Sequence, residues 1–347
     1  VSLSPGRLRL AAAAGLALAL LGGALLASRR QASSELVNDS RFLMGTYIQL
    51  TLRGPDKAAL DAAMTAAWQE MTRLETAFDP WKGEGPLHRL NDSPAGTPVP
   101  LGGDVADLLR LALDFRTRSS GAFSPTLGAM IRLWGFAEMA DPHLPPAQAI
   151  ADTLPHVDPT GLTLSENGTA VRTDPRLLVD LGGIAKGEIV DKVAQLLTRR
   201  GVNDFIVNAG GNLLVRGDRG DGPWKIGVAD PDDRDALAAK LAVTDLAVVT
   251  SGDYERFFEK DGVRYHHIFD PATGYPARGM RSVTIVAPSC GLSDALSTAV
   301  FVLGEDRGLA LARNSGAEVM IIGNDGKIRQ TPGMAKYVTW TSPKRGG

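Results

Sequence analysis

Apolar positions in this chain alternate between two periods, and the switches mark its elements. After an unbroken apolar run at 10–27, residues 42–53 alternate with period two and predict a strand carrying Met44-Gly45-Thr46 inside it. A glycine within a strand marks close backbone approach. Residues 56–78 shift to the helical period, with Leu60, Met64, Ala67, Trp68, Met71, Leu74 and Ala77 on one stripe. A second helix is predicted over 104–119, and the proline-rich 141–159 reads as a connecting region. Residues 180–192 read as strand, glycine turn and helix, stopping at Arg200-Gly201. Strands follow at 205–208, 224–228, 246–251 and 282–287. A helix starting near Leu292 and another at 308–314 precede strands at 319–322 and 336–340. Strands and helices interleave without internal repeats, which predicts one globular unit over 42–340.

The segment before that unit is different. Arg7 and Arg9 precede eighteen residues of Ala, Leu and Gly, and Arg29-Arg30 close the run. As a helix it would span about 27 Å, close to the ~30 Å hydrocarbon core. Residues 1–30 are therefore expected to be a membrane anchor or export signal, and 31–41 a polar tether. Leu25 disfavours a small-x-small cleavage site, so an uncleaved anchor is preferred. The formal net charge of −2 gives no global field for nucleic acid. Cys290 is the sole cysteine, which excludes an intrachain disulfide and a cysteine metal site.

Candidate chemistry concentrates between Gly252 and Thr298. Asp270-Pro271 and Thr273-Gly274 are turn residues, with His266 and His267 just before them. Asp294 and Thr298, four apart, face one side of a helix. A carboxylate and a hydroxyl near a helix N-terminus suit a hard cation such as Mg²⁺ holding a phosphate. Gly182-Gly183 before a helix suits an anion, but neither Walker nor Rossmann spacing is present. Trp134 and Phe136 read as core.

These pieces occur together with Ser120-Gly121-Ala122-Phe123-Ser124-Pro125-Thr126, Asp180-Leu181-Gly182-Gly183-Ile184-Ala185-Lys186-Gly187, Asn208-Ala209-Gly210-Gly211-Asn212 and His267-Ile268-Phe269-Asp270-Pro271. In that order the chain resembles the FAD:protein FMN transferases, the ApbE family. The resemblance implies an α+β fold of antiparallel sheets and packed helices, like a duplicated tunnelling fold (T-fold). It implies transfer of FMN from FAD to a threonine or serine of an acceptor flavoprotein in a membrane redox complex, with AMP released. FAD would be contacted by Met44, Trp81, Ala122, Phe123, Ser124, Asp180, Lys186 and the Ile268 backbone. Mg²⁺ would be held by Asp294, Thr298 and the Gly183 carbonyl. His267 would be the base, while His266 faces the other side of its strand and inherits no role. Relatives usually have aspartate at Ser124, tyrosine near Trp81, and Ser-Glu where this chain has Gly85-Pro86. With the N-terminal run, the resemblance implies a location at the inner membrane, on the periplasmic side. Two other readings stay open: an Mg²⁺-dependent FAD pyrophosphatase and a non-catalytic, membrane-tethered flavin-binding protein.

Overall fold

The computed structural model describes residues 34–137 and 141–343. The apolar run 10–27, and with it the expected anchor, lies outside the described residues. Among those described, no helix is long and apolar enough to cross a membrane.

A hairpin replaces the single strand expected over 42–53. Strand β1 (Glu35–Leu43) pairs antiparallel with β2 (Thr46–Gly54), and Leu43 opposite Thr46 leaves Met44-Gly45 as a two-residue turn. Both turn residues have positive φ, 53° and 69°, as a tight turn matched to the strand twist requires. The tether expected over 31–41 is corrected too, because the chain is already a strand from Glu35. β1 is an edge strand with no fully buried residue. Its polar sequence therefore carries no alternating apolar signal.

Helix α1 (Lys57–Phe78) follows, with Asp56 accepting from the N–H groups of Ala58 and Ala59 as its cap. Its apolar stripe lies in the main core. Next come α2 (Pro86–Asp92), β3 (Val99–Pro100), α3 (Gly102–Arg118) and α4 (Gly128–Leu133). The connecting region contains α5 (Ala147–Thr153), and β4 (Leu162–Leu164) and β5 (Thr169–Arg172) join β3 in a small sheet. The strand expected at the start of 180–192 is absent: residues 177–181 belong to no strand. Helix α6 (Gly182–Arg199) starts at the glycine pair itself.

The chain then forms β6 (Asp204–Ala209), β7 (Asn212–Arg216), β8 (Trp224–Asp230), β9 (Asp233–Val243) and β10 (Ala247–Gly252). A two-stranded ribbon, β11 (Phe257–Lys260) and β12 (Val263–His266), precedes β13 (Met280–Ala287). Helices α7 (Cys290–Leu303) and α8 (Glu305–Asn314) lead to β14 (Glu318–Gly323), β15 (Ile328–Gln330) and β16 (Val338–Thr341).

Eight strands form one sheet in the order β1-β2-β6-β7-β10-β13-β14-β15. Every pairing between named strands is antiparallel. The fold is α+β, as expected. The main core joins the inward residues of this sheet to α1, α3, α6 and α7. A second core packs its other side against β16-β9-β8. A third, aromatic cluster gathers Trp134, Phe136, Phe258, Tyr265 and Phe269, in keeping with the core reading of Trp134 and Phe136.

Helices α6 and α7 meet closely enough to exclude side chains. A Cβ on Gly187 would collide with the Cys290 carbonyl, and one on Gly291 would lie 3.2 Å from Glu188. Asp191 on α6 accepts from Ser289 Oγ and the N–H groups of Cys290 and Gly291, satisfying the start of α7. Cys290 is free and buried, and burial pushes its thiol well above its ordinary pKa. It is inert.

Candidate active site

Asp180 is placed by a buried amide. Asn91 accepts from the Val179 N–H at 2.8 Å and donates to the Val179 carbonyl at 2.8 Å and, at 3.3 Å, to that of Pro80. It thereby staples the 79–81 loop to the segment entering α6. Asp180 accepts from the Gly182 N–H at 2.7 Å, and its own N–H donates to Pro125. Burial raises its pKa, while that hydrogen bond and the charges of Arg256 and Lys186 oppose the rise. Trp81 is half-buried in the same loop, with the Arg132 guanidinium 5.2 Å from its ring centroid. Lys186, one helical turn into α6, donates to the Gly182 carbonyl at 3.4 Å. At Gly85, a side chain would strike the Thr76 carbonyl, and Pro86 occupies the first turn of α2. The Gly-Pro substitution is thus accommodated by close packing and a proline-tolerant position.

The two histidines separate in environment. His267 follows β12, and its N–H donates to the Arg256 carbonyl. Its Nδ1 lies 3.3 Å from the same oxygen. A carbonyl only accepts, so Nδ1 carries the proton and Nε2 presents its lone pair. Burial pushes the His267 pKa down to about 3, and the charges of Arg256 and Lys186 push the same way. His266 is buried, Nε2 donating to Ala277 and Nδ1 accepting from the Ile268 N–H. Burial first, and then nearby arginine charge against the Ala277 hydrogen bond, lower its pKa to about 4. Through its Nδ1 hydrogen bond it fixes the residue after His267.

The three proposed metal ligands lie on the packed α6–α7 pair. Asp294 is buried, and its Oδ2 accepts from the Gly187 N–H at 3.0 Å. Its Oδ1 has no hydrogen bond among the described residues. One turn on, Thr298 Oγ1 would lie 3.6 Å from a Cβ on Gly183. Ser297 donates to the Asp294 carbonyl and meets Ser251 Oγ at 2.7 Å, bracing this turn against β10. One carboxylate oxygen, a hydroxyl and a carbonyl form a hard donor set that fits Mg²⁺. Among the described residues no group of three or more His, Cys, Asp or Glu could hold a metal. An ion here would draw its remaining ligands from phosphate and water.

Two of the expected FAD contacts already have protein partners. The Ile268 N–H donates to His266 Nδ1, and its carbonyl accepts from the Ala277 N–H with one lone pair, leaving the other to a ligand. Ser124 is buried, and its hydroxyl meets Thr126 Oγ1 at 2.9 Å. Thr126 donates to Val157, so Ser124 must donate to Thr126 and its only proton is committed. Phe123 is a wall instead: its ring edge would lie 3.1 Å from a Cβ on Gly183, and it packs on Phe115. Ala122 is buried beside it. Met44, in the hairpin turn, donates its N–H to Glu75 at 2.6 Å. Asp270 braces its turn through the Ala272 N–H, as its sequence suggests.

Two open concavities, of about 620 and 580 Å³, contain none of these residues. Chemistry, not volume, marks the site.

Residues 44–321 match the ApbE family. The chain belongs to that family. It is 35% identical over 320 residues to a curated FAD:protein FMN transferase of Treponema pallidum, covering 86% of this chain and 88% of that protein. It is 34% identical over 331 residues to one of Rhodobacter capsulatus, covering 94% of this chain but only 62% of the longer relative. The crystal structure of the ApbE protein of Thermotoga maritima superposes with a TM-score of 0.82 at 33% identity, covering 87% of this chain and 99% of that one.

Within this ApbE chain, sequence reasoning missed two arginines. Arg172 is buried and donates to the carbonyls of Leu90, Asn91, Ser93 and Leu177, holding the Asn91 staple. Arg256 lies in the turn between β10 and β11 and supplies the carbonyl that orients His267. The burial of the first is a property of the fold and left no signal in the sequence. Nothing local marked the second.

Proposed function

We propose that this enzyme moves FMN from FAD to a threonine or serine hydroxyl of an acceptor flavoprotein. The acceptor oxygen forms a bond to the FMN-side phosphorus, the bridging P–O bond breaks, and AMP leaves with the bridging oxygen. The acceptor proton passes to His267 Nε2. The observation that carries this reading is the oriented imidazole of His267, near enough to Lys186 for that charge to act on it, in a member of this family.

Asp294, Thr298 and the Gly183 carbonyl would hold Mg²⁺, which when bound neutralises charge developing on the phosphoryl oxygens. The protein's own share is positional. Trp81 offers an aromatic face to the flavin or adenine ring. Phe123 and Met44 bound the space, and Lys186 offers a cation to the phosphates. Residues 10–27 would keep the domain at the periplasmic side of the inner membrane, where an acceptor subunit of a redox complex is reachable. The test is incubation with FAD, Mg²⁺ and a candidate acceptor: a flavin adduct supports transfer, and FMN plus AMP without adduct supports hydrolysis.

A further inference from the structure

We infer that Arg256 is a phosphate-binding residue whose guanidinium, with Lys186, takes the pyrophosphate of FAD. This deepens the flavin-transferase reading and rests on it for the identity of the ligand. The guanidinium is half-buried, yet it makes no hydrogen bond and no ion pair among the described residues. Most arginines around it are committed: Arg264 and Arg281 both reach Asp253, and Arg281 also holds Asp232. Arg256 instead points at the hairpin turn, where a Cβ on Gly45 would come within 2.9 Å of its Nη2. Gly45 thus serves two needs, a positive φ and room for this side chain.

Arg256 and Lys186 both lie near enough to Asp180 and His267 to act on the charge of each. The two cations face Asp180, itself held by the Gly182 N–H, with the charge of Asp79 also acting on it. A half-buried guanidinium in contact with no carboxylate is costly unless an anion completes it. A planar guanidinium suits phosphate oxygens. The same residue's carbonyl fixes the His267 tautomer, so one turn places both the phosphate cation and the base. An anion bound here would offset the two positive charges that hold His267 down, and so strengthen the base when substrate is present.

The experiment measures flavin binding in EDTA, with no turnover, for wild type, Arg256→Gln and Arg256→Lys. Each is titrated with FAD and with riboflavin, which lacks phosphate. Arg256→Gln is expected to weaken FAD binding about 10- to 100-fold, the worth of a charged hydrogen bond. Its riboflavin affinity and melting temperature should stay unchanged, since the backbone carbonyl remains. Arg256→Lys should recover part of the loss. Wild-type FAD affinity in Arg256→Gln would overturn the assignment, as would an equal loss of FAD and riboflavin. Acceptor flavinylation by wild type is scored separately, so failure of the transferase reading is not confused with failure of this one.

Discussion

At the scale of single residues, the two histidines make opposite predictions. His267→Asn should keep FAD affinity and melting temperature near wild type while transfer falls roughly 10²–10⁴-fold, the usual worth of a general base. His266→Asn should instead lose stability, by about 1–3 kcal/mol. It removes the acceptor for the Ile268 N–H and a ring packed on Phe301. Urea unfolding and single-turnover transfer separate the two outcomes. Acid stability follows from the same pair. Their folded pKa values, about 4 and about 3, lie below the ordinary 6.5. As pH falls below 6.5 the unfolded chain takes up protons that the folded chain refuses, so stability is full above that value and lost progressively toward pH 4. His266→Asn should flatten this dependence; an unchanged slope would contradict the assignment. Asp294→Asn keeps an acceptor for the Gly187 N–H but loses the charge. It should fold normally and lose Mg²⁺-dependent turnover, and wild-type turnover at ordinary Mg²⁺ would remove the metal assignment.

At the scale of elements, the α6–α7 contact is what brings Gly183 and Thr298 together. Gly187→Ala would drive a methyl into the Cys290 carbonyl. Overpacking of this kind costs roughly 1–3 kcal/mol. The melting temperature should drop, and FAD turnover should fall with it because Asp294 moves off its Gly187 partner. A variant as stable as wild type would mean the helices part easily and do not set the site. The legible elements were those with buried residues: α1 by its helical stripe, and β6, β10 and β13 by short apolar runs. The hairpin did not, because β1 buries no residue fully. Met44-Gly45 looked like a strand interior until pairing showed it to be a turn. The site divides in the same way. His267, Asp180, Asp294 and Thr298 sit in motifs that can be read locally. Arg256 is singled out by its nearness to Gly45, Asp180 and His267, which adjoin it only after folding. The commitment of the Ser124 proton and the Ile268 N–H depends likewise on partners at Thr126 and His266.

At the scale of the whole molecule, the eight-stranded sheet carries the α6–α7 pair on one side, and the β11–β12 ribbon with its following turn brings His267 to Lys186. The central claim is that this arrangement serves an incoming protein hydroxyl and not water. The most direct measurement is the intact mass of a candidate acceptor flavoprotein after incubation with this enzyme, FAD and Mg²⁺. The account predicts a mass gain of one FMN less one water, mapped to one threonine or serine, with one AMP released per adduct. It also predicts no gain with His267→Asn on the same timescale. AMP and free FMN accumulating while the acceptor mass stays constant, across acceptors that a known family member modifies, would contradict it.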